Sequence, residues 1–240
     1  MNFTFFAPDE NSLDLANRQQ VRGVMIGTVT NNQDPEGKGR VKVKLFMREG
    51  EMETDWIRVA TMMTGSDYGT LFLPEVEDEV VVAFHLGDVN HPIVIGSLWN
   101  SKRKNPAVAE QNNVRKIKTR SGHELIFDDG EKGYIEIITK KGNKIRMDEE
   151  SETIKITDKN DKNFLQIDGK NEKITLTSGS NKIIIDSSGE ITCQSQNKVN
   201  IKGAMVSVTA DSQLELKANG GVKIESGALV TIKGSMVKIN

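Results

Sequence analysis

The sequence predicts an all-β protein made of two unlike parts, a small barrel followed by a long repetitive shaft. Short segments with alternating apolar residues run through most of the 240 residues, which is the periodicity of β-strands. All five prolines and both tryptophans occur by position 106, and no aromatic residue follows Phe164. Apolar pairs separated by one residue recur from residue 135 almost to the C-terminus. The second part must therefore build its core from aliphatic side chains rather than from rings.

The first part, residues 21–100, contains short strand-like segments separated by turn-forming residues. Val41, Val43 and Leu45 alternate with two lysines, which places these three side chains on one face of a strand. Residues 31–39 are dense in Asn, Asp, Gly and Pro, which favour turns. The predicted strands are 24–30, 40–46, 56–60, 79–84 and 92–98. Five short strands in about 75 residues are typical of a Greek-key barrel of the OB type.

The second part carries the apolar repeat, whose spacing tightens from about ten residues to seven or eight towards the C-terminus. Gly, Asn, Asp, Ser and Lys separate the pairs and suit the turns between short strands. The pairs are Ile135/Ile137, Ile145/Met147, Ile154/Ile156, Leu165/Ile167, Ile174/Leu176, Ile183/Ile185, Ile191/Cys193, Val199/Ile201, Val206/Val208, Leu214/Leu216, Val222/Ile224, Val230/Ile232 and Val237/Ile239.

A repeat near eight residues is too short for a single-chain solenoid, whose rungs need roughly 20 residues to enclose a core. Three identical chains wound about one axis can enclose a core, each pointing its apolar pairs at the axis. The sequence therefore predicts an intertwined, triple-stranded β-helix, with the apolar pairs lining the lumen of a homotrimer. The predicted divisions are an N-terminal extension at 1–20, the barrel at 21–100, a polar linker at 101–116 and the shaft at 117–240. An ordinary meander of hairpins is the alternative, against which the unbroken repeat and the lack of aromatics count.

The first part also resembles the gp5-type OB domain shared by phage baseplate assembly protein V and the VgrG spikes of type VI secretion. The matching residues occur in the family's order and span most of residues 21–100, and the second part looks like the triple-stranded β-helix that follows this domain in the same family. The matching segments are 27–30 with Asp34, 39–43, 56–60, 69–74, 77–84 and 87–100.

This resemblance implies a trimeric spike on the axis of a baseplate, driven through a membrane when a sheath contracts. It implies two protein partners, a baseplate hub at the N-terminal and OB end and a PAAR-type tip protein at the C-terminal end. The expected tip-binding residues are Met236, Val237, Ile239 and Asn240, because the repeat continues to the last residues. VgrG proteins usually carry a large hub domain before the barrel, so we expect a separate hub here. The stretch 100–117 leaves no room for the lysozyme that some phage spikes insert, so no enzyme is expected.

Composition argues against several other classes of function. The formal net charge is -2 and the pI is about 6.0, which gives no general attraction to nucleic acid or anionic lipid. A single cysteine, Cys193, excludes an internal disulfide and a Cys-based zinc site. The N-terminus has no basic region or long apolar stretch, and no segment has the roughly 20 apolar residues of a membrane span. We therefore expect synthesis in the cytoplasm without a signal peptide, followed by assembly into a tail or tail-like particle.

Chemistry-bearing residues give weak signals, and no catalytic, cofactor or metal site is expected. His85, Asp88 and His91 share one segment and could be metal ligands, but a polar turn between strands explains them better; His123 has no such neighbours. Asp128-Asp129 and Glu149-Glu150 could be paired carboxylates of a glycoside hydrolase, but adjacent strand residues point to opposite faces. Solvated turns are the preferred interpretation. Cys193 lies in the inward register, where a reactive thiol is not expected.

Two further functions remain as alternatives. An OB barrel can bind single-stranded nucleic acid through aromatic platforms, with candidates at Phe46, Phe72, Phe84 and Tyr68; the net charge opposes this, and Phe46 and Phe84 fit barrel core positions. A tail fibre or adhesin that binds a receptor also uses trimeric β-helices, but usually ends in a globular head. The kind of injection system, its target cell and its cargo are left open by the sequence.

Overall fold

In the computed structural model, residue 21 and residues 23–47, 50–106 and 111–239 are described. These residues form fifteen β-strands and one 3-10 turn at His85–Gly87, arranged in two separate sheets. The prediction of an all-β protein is therefore confirmed. The expected N-terminal extension, part of the expected linker and the tip-binding candidate Asn240 lie outside the described residues.

The first sheet forms the barrel. Its strands lie in the order β3-β2-β1-β5-β6-β4, antiparallel except for the parallel pair β4 and β6. Two backbone hydrogen bonds between Val41 and Ile57, of 2.8 and 3.0 Å, close the barrel beside β4. The strands are β1 (Val24–Asn31), β2 (Lys42–Met47), β3 (Gly50–Glu53), β4 (Arg58–Val59), β5 (Glu79–Phe84) and β6 (Pro92–Leu98).

The barrel encloses its own apolar core within one chain. Val41, Val43 and Leu45 are fully buried, which confirms their predicted common face. Phe84 is also buried as expected, but the core assignment of Phe46 was wrong, since 53% of this side chain is exposed. The alternation that turns Leu45 inward turns its neighbour Phe46 outward. The buried cluster is Val29, Val41, Val43, Leu45, Ile57, Val80, Val82, Phe84 and Val94.

Strand β3 was missed by the sequence analysis. Its residues, Gly50–Glu53, carry two glutamates and show no apolar alternation. The strand forms because it pairs in antiparallel register with β2, Lys44 opposite Glu53 and Leu45 opposite Met52. Cross-strand pairing overrides the weak local preference of this segment.

The turn that follows β1 confirms the turn predicted at residues 31–39, and its most buried ion pair joins Arg40 to Asp34. The guanidinium of Arg40 donates two hydrogen bonds to the Asp34 carboxylate, at 2.8 and 2.9 Å. The same carboxylate accepts the backbone N–H groups of Glu36, Lys38 and Arg40. Chiefly because of Arg40, the pKa of Asp34 lies far below its usual range. The charged turn therefore fixes the register in which β2 pairs with β1.

The second sheet is an antiparallel meander of nine strands, each paired with its neighbours in the chain. It begins at Val114, inside the expected linker. In the single chain this is the hairpin arrangement that the sequence left as an alternative, while the three-chain arrangement stays a prediction. The strands are β7 (Val114–Lys118), β8 (Glu124–Asp128), β9 (Tyr134–Ile138), β10 (Lys144–Asp148), β11 (Thr153–Thr157), β12 (Asn163–Asp168), β13 (Lys173–Ser178), β14 (Asn181–Asp186) and β15 (Ile191–Gln194).

The segment 195–239 follows the last strand and differs from the meander. It contains no strand, and all but one of its side chains are exposed. The apolar repeat nevertheless continues through it, from Val199 to Ile239. The same sequence pattern thus forms a sheet in one region and has no β-partner within the chain in the other.

Candidate functional site: an assembly surface

The apolar pairs of the meander form one continuous surface, which we call the apolar face. Cross-strand register places pair opposite pair, such as Ile145 opposite Ile137 on one side and Ile156 on the other. One column of opposed residues is Phe127, Ile135, Met147, Ile154, Ile167, Ile174, Ile185 and Ile191. The second column is Ile117, Leu125, Ile137, Ile145, Ile156, Leu165, Leu176, Ile183 and Cys193.

The apolar face lies open to solvent in the single chain. From Ile135 to Ile185, the side chains of its two columns are 37–49% exposed. Nine strands spaced about 4.8 Å apart extend this surface over about 38 Å. An apolar surface of this continuity on a folded protein marks a site of association, because its contact with water is unfavourable.

The opposite face of the meander is polar and supplies its own partners. Glu136, with only 7% of its surface exposed, lies 3.7 Å from Arg146 on the neighbouring strand. The Arg146 guanidinium also stacks 3.7 Å above the Tyr134 ring and donates a 2.7 Å hydrogen bond to Asp148. The backbone N–H of Ser151 and the Arg146 side chain lower the pKa of Asp148 to about 2. The charged groups around Arg146 therefore pair with one another within the chain, while the apolar face is left without a cover.

Most of the apolar face was predicted from the sequence, but its start was not. Leu125 and Phe127 on β8 have the same i, i+2 spacing and belong to the two columns. Strand β7 contributes Ile117, but Arg115 occupies the position opposite Phe127. That charged residue interrupts the apolar pair, so the repeat becomes recognisable only further along the chain.

The predicted lumen residues beyond Cys193 are described but have no strand partners. Val199, Ile201, Val206, Val208, Leu214, Leu216, Val222, Ile224, Val230 and Ile232 are 47–78% exposed. Of the tip-binding candidates, Met236 and Ile239 are 84% and 89% exposed and Val237 is 55% exposed. The structure therefore brings none of these residues into a packed core of the single chain.

Most of the candidate metal and catalytic residues occupy turns, but Asp128 is the half-buried last residue of β8, so its interpretation as a solvated turn residue was wrong. Asp88 accepts hydrogen bonds from the backbone N–H of Asn90 and pairs with His91 at 2.7 Å, and the Asn90 and His91 contacts lower the pKa of Asp88. These bonds fix the 3-10 turn between β5 and β6. No group of three or more His, Cys, Asp or Glu suited to a metal occurs among the described residues.

The remaining candidates are not gathered into one site. His123 accepts the backbone N–H of Lys140 at 3.3 Å, in a contact between two turns. Glu149 and Glu150 lie in the exposed turn after β10, as the preferred interpretation of these residues expected. Phe72 and Tyr68, proposed as stacking platforms, are 64% and 66% exposed in the loop that precedes β5.

The described residues form an all-β protein in which an OB-type barrel is followed by a sheet whose apolar face is open to solvent. Residues 25–99 match the type VI secretion system/phage-baseplate injector OB domain. The barrel therefore matches the injector OB domain, and the chain is similar to VgrG-type spikes in this region, as its sequence predicted. The described residues contain no helix with the length and hydropathy of a membrane span.

Several VgrG proteins are similar in sequence to this chain. The chain is 32% identical over 126 residues to the type VI secretion system spike protein VgrG3 of Vibrio cholerae, and 32% over 149 residues to the spike protein VgrG5 of Pseudomonas aeruginosa. It is 30% identical over 129 residues to the actin cross-linking toxin VgrG1 of Vibrio cholerae. These alignments cover 47%, 50% and 47% of this chain, but only 12%, 18% and 12% of the respective relatives. The chain therefore corresponds to a small part of each.

Proposed function

We propose that this protein is the central spike, or needle, of a contractile tail or injection system, and that it acts as a homotrimer without enzymatic activity. The observation that carries the proposal is the apolar face, a continuous aliphatic surface that one chain cannot bury. The similarity of the barrel to the injector OB domain supports a place in an injection system. A spike needs stiffness along its axis and no catalytic site.

Three copies of the chain can bury the apolar face that one copy leaves exposed. With each meander forming one side of a triangular prism, the two apolar columns of all three chains meet at the axis. Each Å² of apolar surface removed from water contributes about 25 cal/mol, and the columns repeat that contribution at every strand. We propose that the barrel occupies 21–100, that the shaft begins with β7 at Val114 rather than at the expected residue 117, and that the lumen is lined by the predicted pairs.

The segment 195–239 fits the same trimer in a different way. Its apolar pairs recur every seven or eight residues, which leaves too few residues for a strand and a reversing turn of the kind seen in the meander. Its strands would then pair with those of the neighbouring chains, as an intertwined triple-stranded β-helix. This explains why the pairs from Val199 onward have no partner within one chain.

The ends of the spike would bind different partners. We propose that the N-terminal and OB end docks on the baseplate hub, for which the barrel offers the exposed apolar side chains of Met62, Leu71 and Phe72. At the other end, Met236, Val237, Ile239 and Asn240 would form the flat platform for a PAAR-type tip protein. When the sheath contracts, the rigid shaft would carry axial force to the envelope of the target cell.

Contacts between barrel and shaft support this mechanical role. Arg120, in the first turn of the meander, donates a 3.0 Å hydrogen bond to Glu75 of the barrel domain. Arg103 contacts Glu77 and Asp78 just before β5. The carboxylate of Glu75 also accepts from Asn32 at 3.4 Å, next to the Asp34 turn. These contacts tie the start of the shaft to the barrel.

The function can be tested in the cells that produce the protein. A tagged chain should co-purify with tube, sheath and hub proteins, and electron microscopy should place the tag at the tip-proximal end of the particles. A triple variant, Met62→Ser with Leu71→Ser and Phe72→Ser, should keep the trimer but lose incorporation into particles. Recovery of the tag on lateral fibres would instead establish the receptor-binding alternative, and absence from particles would refute the proposal.

A further inference from the structure

The turns of the meander separate by charge onto its two long edges. Because strands alternate in direction, every second turn lies on the same edge. We call these the basic edge and the acidic edge. The basic edge consists of the turns 119–123, 139–143, 158–162 and 179–180, with five Lys or Arg and two Asp, a net charge of +3. The acidic edge consists of the turns 129–133, 149–152, 169–172 and 187–190, with seven Asp or Glu and two Lys, a net charge of -5.

Much of this charge has no partner within the described part of the chain. On the acidic edge, Lys132 binds Glu150 at 2.9 Å and Asp129 lies 3.7 Å from Arg115. On the basic edge, Asp161 contacts Lys155 and Lys144, and Arg120 binds Glu75 of the barrel domain. No ion pair within residues 111–239 engages the two neighbouring carboxylates Glu149 and Glu152, or the basic residues Lys140 and Lys141. All four are exposed. The two edges thus present opposite charges outward, on either side of the uncovered apolar face.

We infer that the basic edge of one chain binds the acidic edge of the next chain, and that this pairing aligns the three chains in parallel. The inference rests on the proposed trimer. In a closed three-fold ring every interface is head-to-tail, so the left edge of each chain meets the right edge of its neighbour. Each of the three contacts therefore joins a basic edge to an acidic edge, which is the arrangement that electrostatic complementarity favours.

The same geometry disfavours the wrong assembly. A chain inserted upside down with its apolar face still inward exchanges its left and right edges. It then sets basic edge against basic edge on one side and acidic against acidic on the other. The apolar columns alone do not discriminate strongly between the two directions, because both present aliphatic side chains to the axis. The charged edges supply the discrimination that the apolar face lacks.

One level of the shaft carries the densest charge on both edges. The turn with Lys140 and Lys141 enters β10, and the turn with Glu149, Glu150 and Glu152 leaves it. The two turns therefore lie at opposite ends of one strand, and in a ring of three chains they meet across each interface at nearly the same height. We assign the principal contact to Lys140 and Lys141 of one chain and Glu149 and Glu152 of the next.

Cross-linking of the wild-type protein tests this contact directly. Chains labelled with ¹⁴N and with ¹⁵N are produced in separate cultures, mixed, unfolded and refolded together so that mixed trimers form, and then treated with a zero-length carbodiimide. We expect mass spectrometry to find mixed-isotope peptides that join Lys140 or Lys141 to Glu149 or Glu152. Within one chain these turns lie at opposite ends of a five-residue strand, so a cross-link between them reports a neighbouring chain. Mixed-isotope cross-links confined to like edges would overturn the inference, as would a trimer with no cross-link between these edges.

Charge reversal tests the role in assembly. Lys140→Glu with Lys141→Glu, and separately Glu149→Lys with Glu152→Lys, should each slow trimer formation at least about tenfold at low salt. The four changes together should restore the rate to within about threefold of wild type, and about 0.5 M salt should shrink all these differences. Lys102→Glu with Lys104→Glu is the matched control, an equal change of charge in the linker, and should assemble as wild type.

These experiments test the proposed trimer and the pairing of its edges separately. A wild-type chain that stays a monomer refutes the proposed trimer itself. A wild-type trimer whose reversal variants assemble at the rate of the linker control refutes only the edge pairing. Single-edge variants that slow assembly without recovery in the fourfold variant also contradict it, since reversed edges should be complementary again.

Discussion

The barrel and the meander use the same alternating pattern and reach opposite results. In the barrel, Val41, Val43 and Leu45 turn inward to a core that the curved sheet closes on itself. In the meander, equivalent pairs such as Ile154 and Ile156 remain 40% and 48% exposed, because a single open sheet has nothing on that side. A β-sheet face is buried only by closure or by a second layer. The barrel therefore buries its apolar core within one chain, whereas the meander leaves its apolar face open to solvent.

The largest expected effect comes from a charge placed on the axis of the shaft. Ile201→Asp would bring three carboxylates together in an apolar lumen, where an unpaired charge is very costly to bury. We expect loss of the trimer, detected by light scattering. The matched control is Asn200→Asp, which adds the same charge one residue away on the outward side and should leave the trimer intact. A stable trimer of the Ile201→Asp variant would contradict the lumen assignment.

A core substitution in the barrel should lower the free energy of unfolding of the protein without dissociating the proposed trimer. Leu45 is fully buried, and Leu45→Ala removes its contacts and leaves a cavity, which typically costs 2–5 kcal/mol, so we expect about 3 kcal/mol. Urea unfolding followed by Trp56 fluorescence should measure this loss of unfolding free energy. The mass of the folded assembly should stay that of the wild type. Lys44→Ala, on the outward side of the same strand, is the control. If Leu45→Ala dissociated the protein instead, the barrel and shaft would not be independent.

Acid should weaken the polar face of the meander through Asp148. Its pKa is lowered to about 2, chiefly by the N–H of Ser151 and then by Arg146. A carboxylate whose pKa is lower in the folded state stabilises that state above its unfolded pKa, about 3.9, and the benefit is lost as the pH falls to about 2. The melting temperature of wild type should therefore exceed that of Asp148→Asn at pH 6, and the gap should close between pH 4 and pH 2. An unchanged gap would exclude this role.

The smallest effect is expected at the junction of the two regions. The Arg120 side chain is 81% exposed and its partner Glu75 is 42% exposed. Exposed pairs of this kind contribute about 0–1 kcal/mol. Arg120→Ala should therefore barely shift the unfolding transition in urea. A loss above about 2 kcal/mol would mean that this contact is buried in the assembly.

The sequence predicted those features that depend on local pattern. The inward face of β2 and the meander pairs followed from period-two alternation, and the turn at Asp34 followed from its composition. Strand β3 could not be predicted, because its residues are charged and pairing with β2 alone makes it a strand. The core position predicted for Phe46 was wrong, because the alternation of its own strand turns this side chain outward. The charged edges depend on which turns share a side of the sheet, which requires the topology.

The segment 195–239 shows the limit of a single chain most clearly. Its sequence continues the repeat of the meander, yet residues 195–239 contain no strand; in the proposed trimer, neighbouring chains would supply the hydrogen-bond partners. The sequence pattern alone predicts that these apolar pairs are buried on one face. It does not say which chain covers them.

The central claim is that the apolar face is buried by two further copies of the same chain. Light scattering on the purified full-length protein measures this most directly. The account predicts about 80 kDa, three times the 26.6 kDa of one chain, over a range of concentrations. A particle of about 27 kDa, with the apolar face in water, would contradict it.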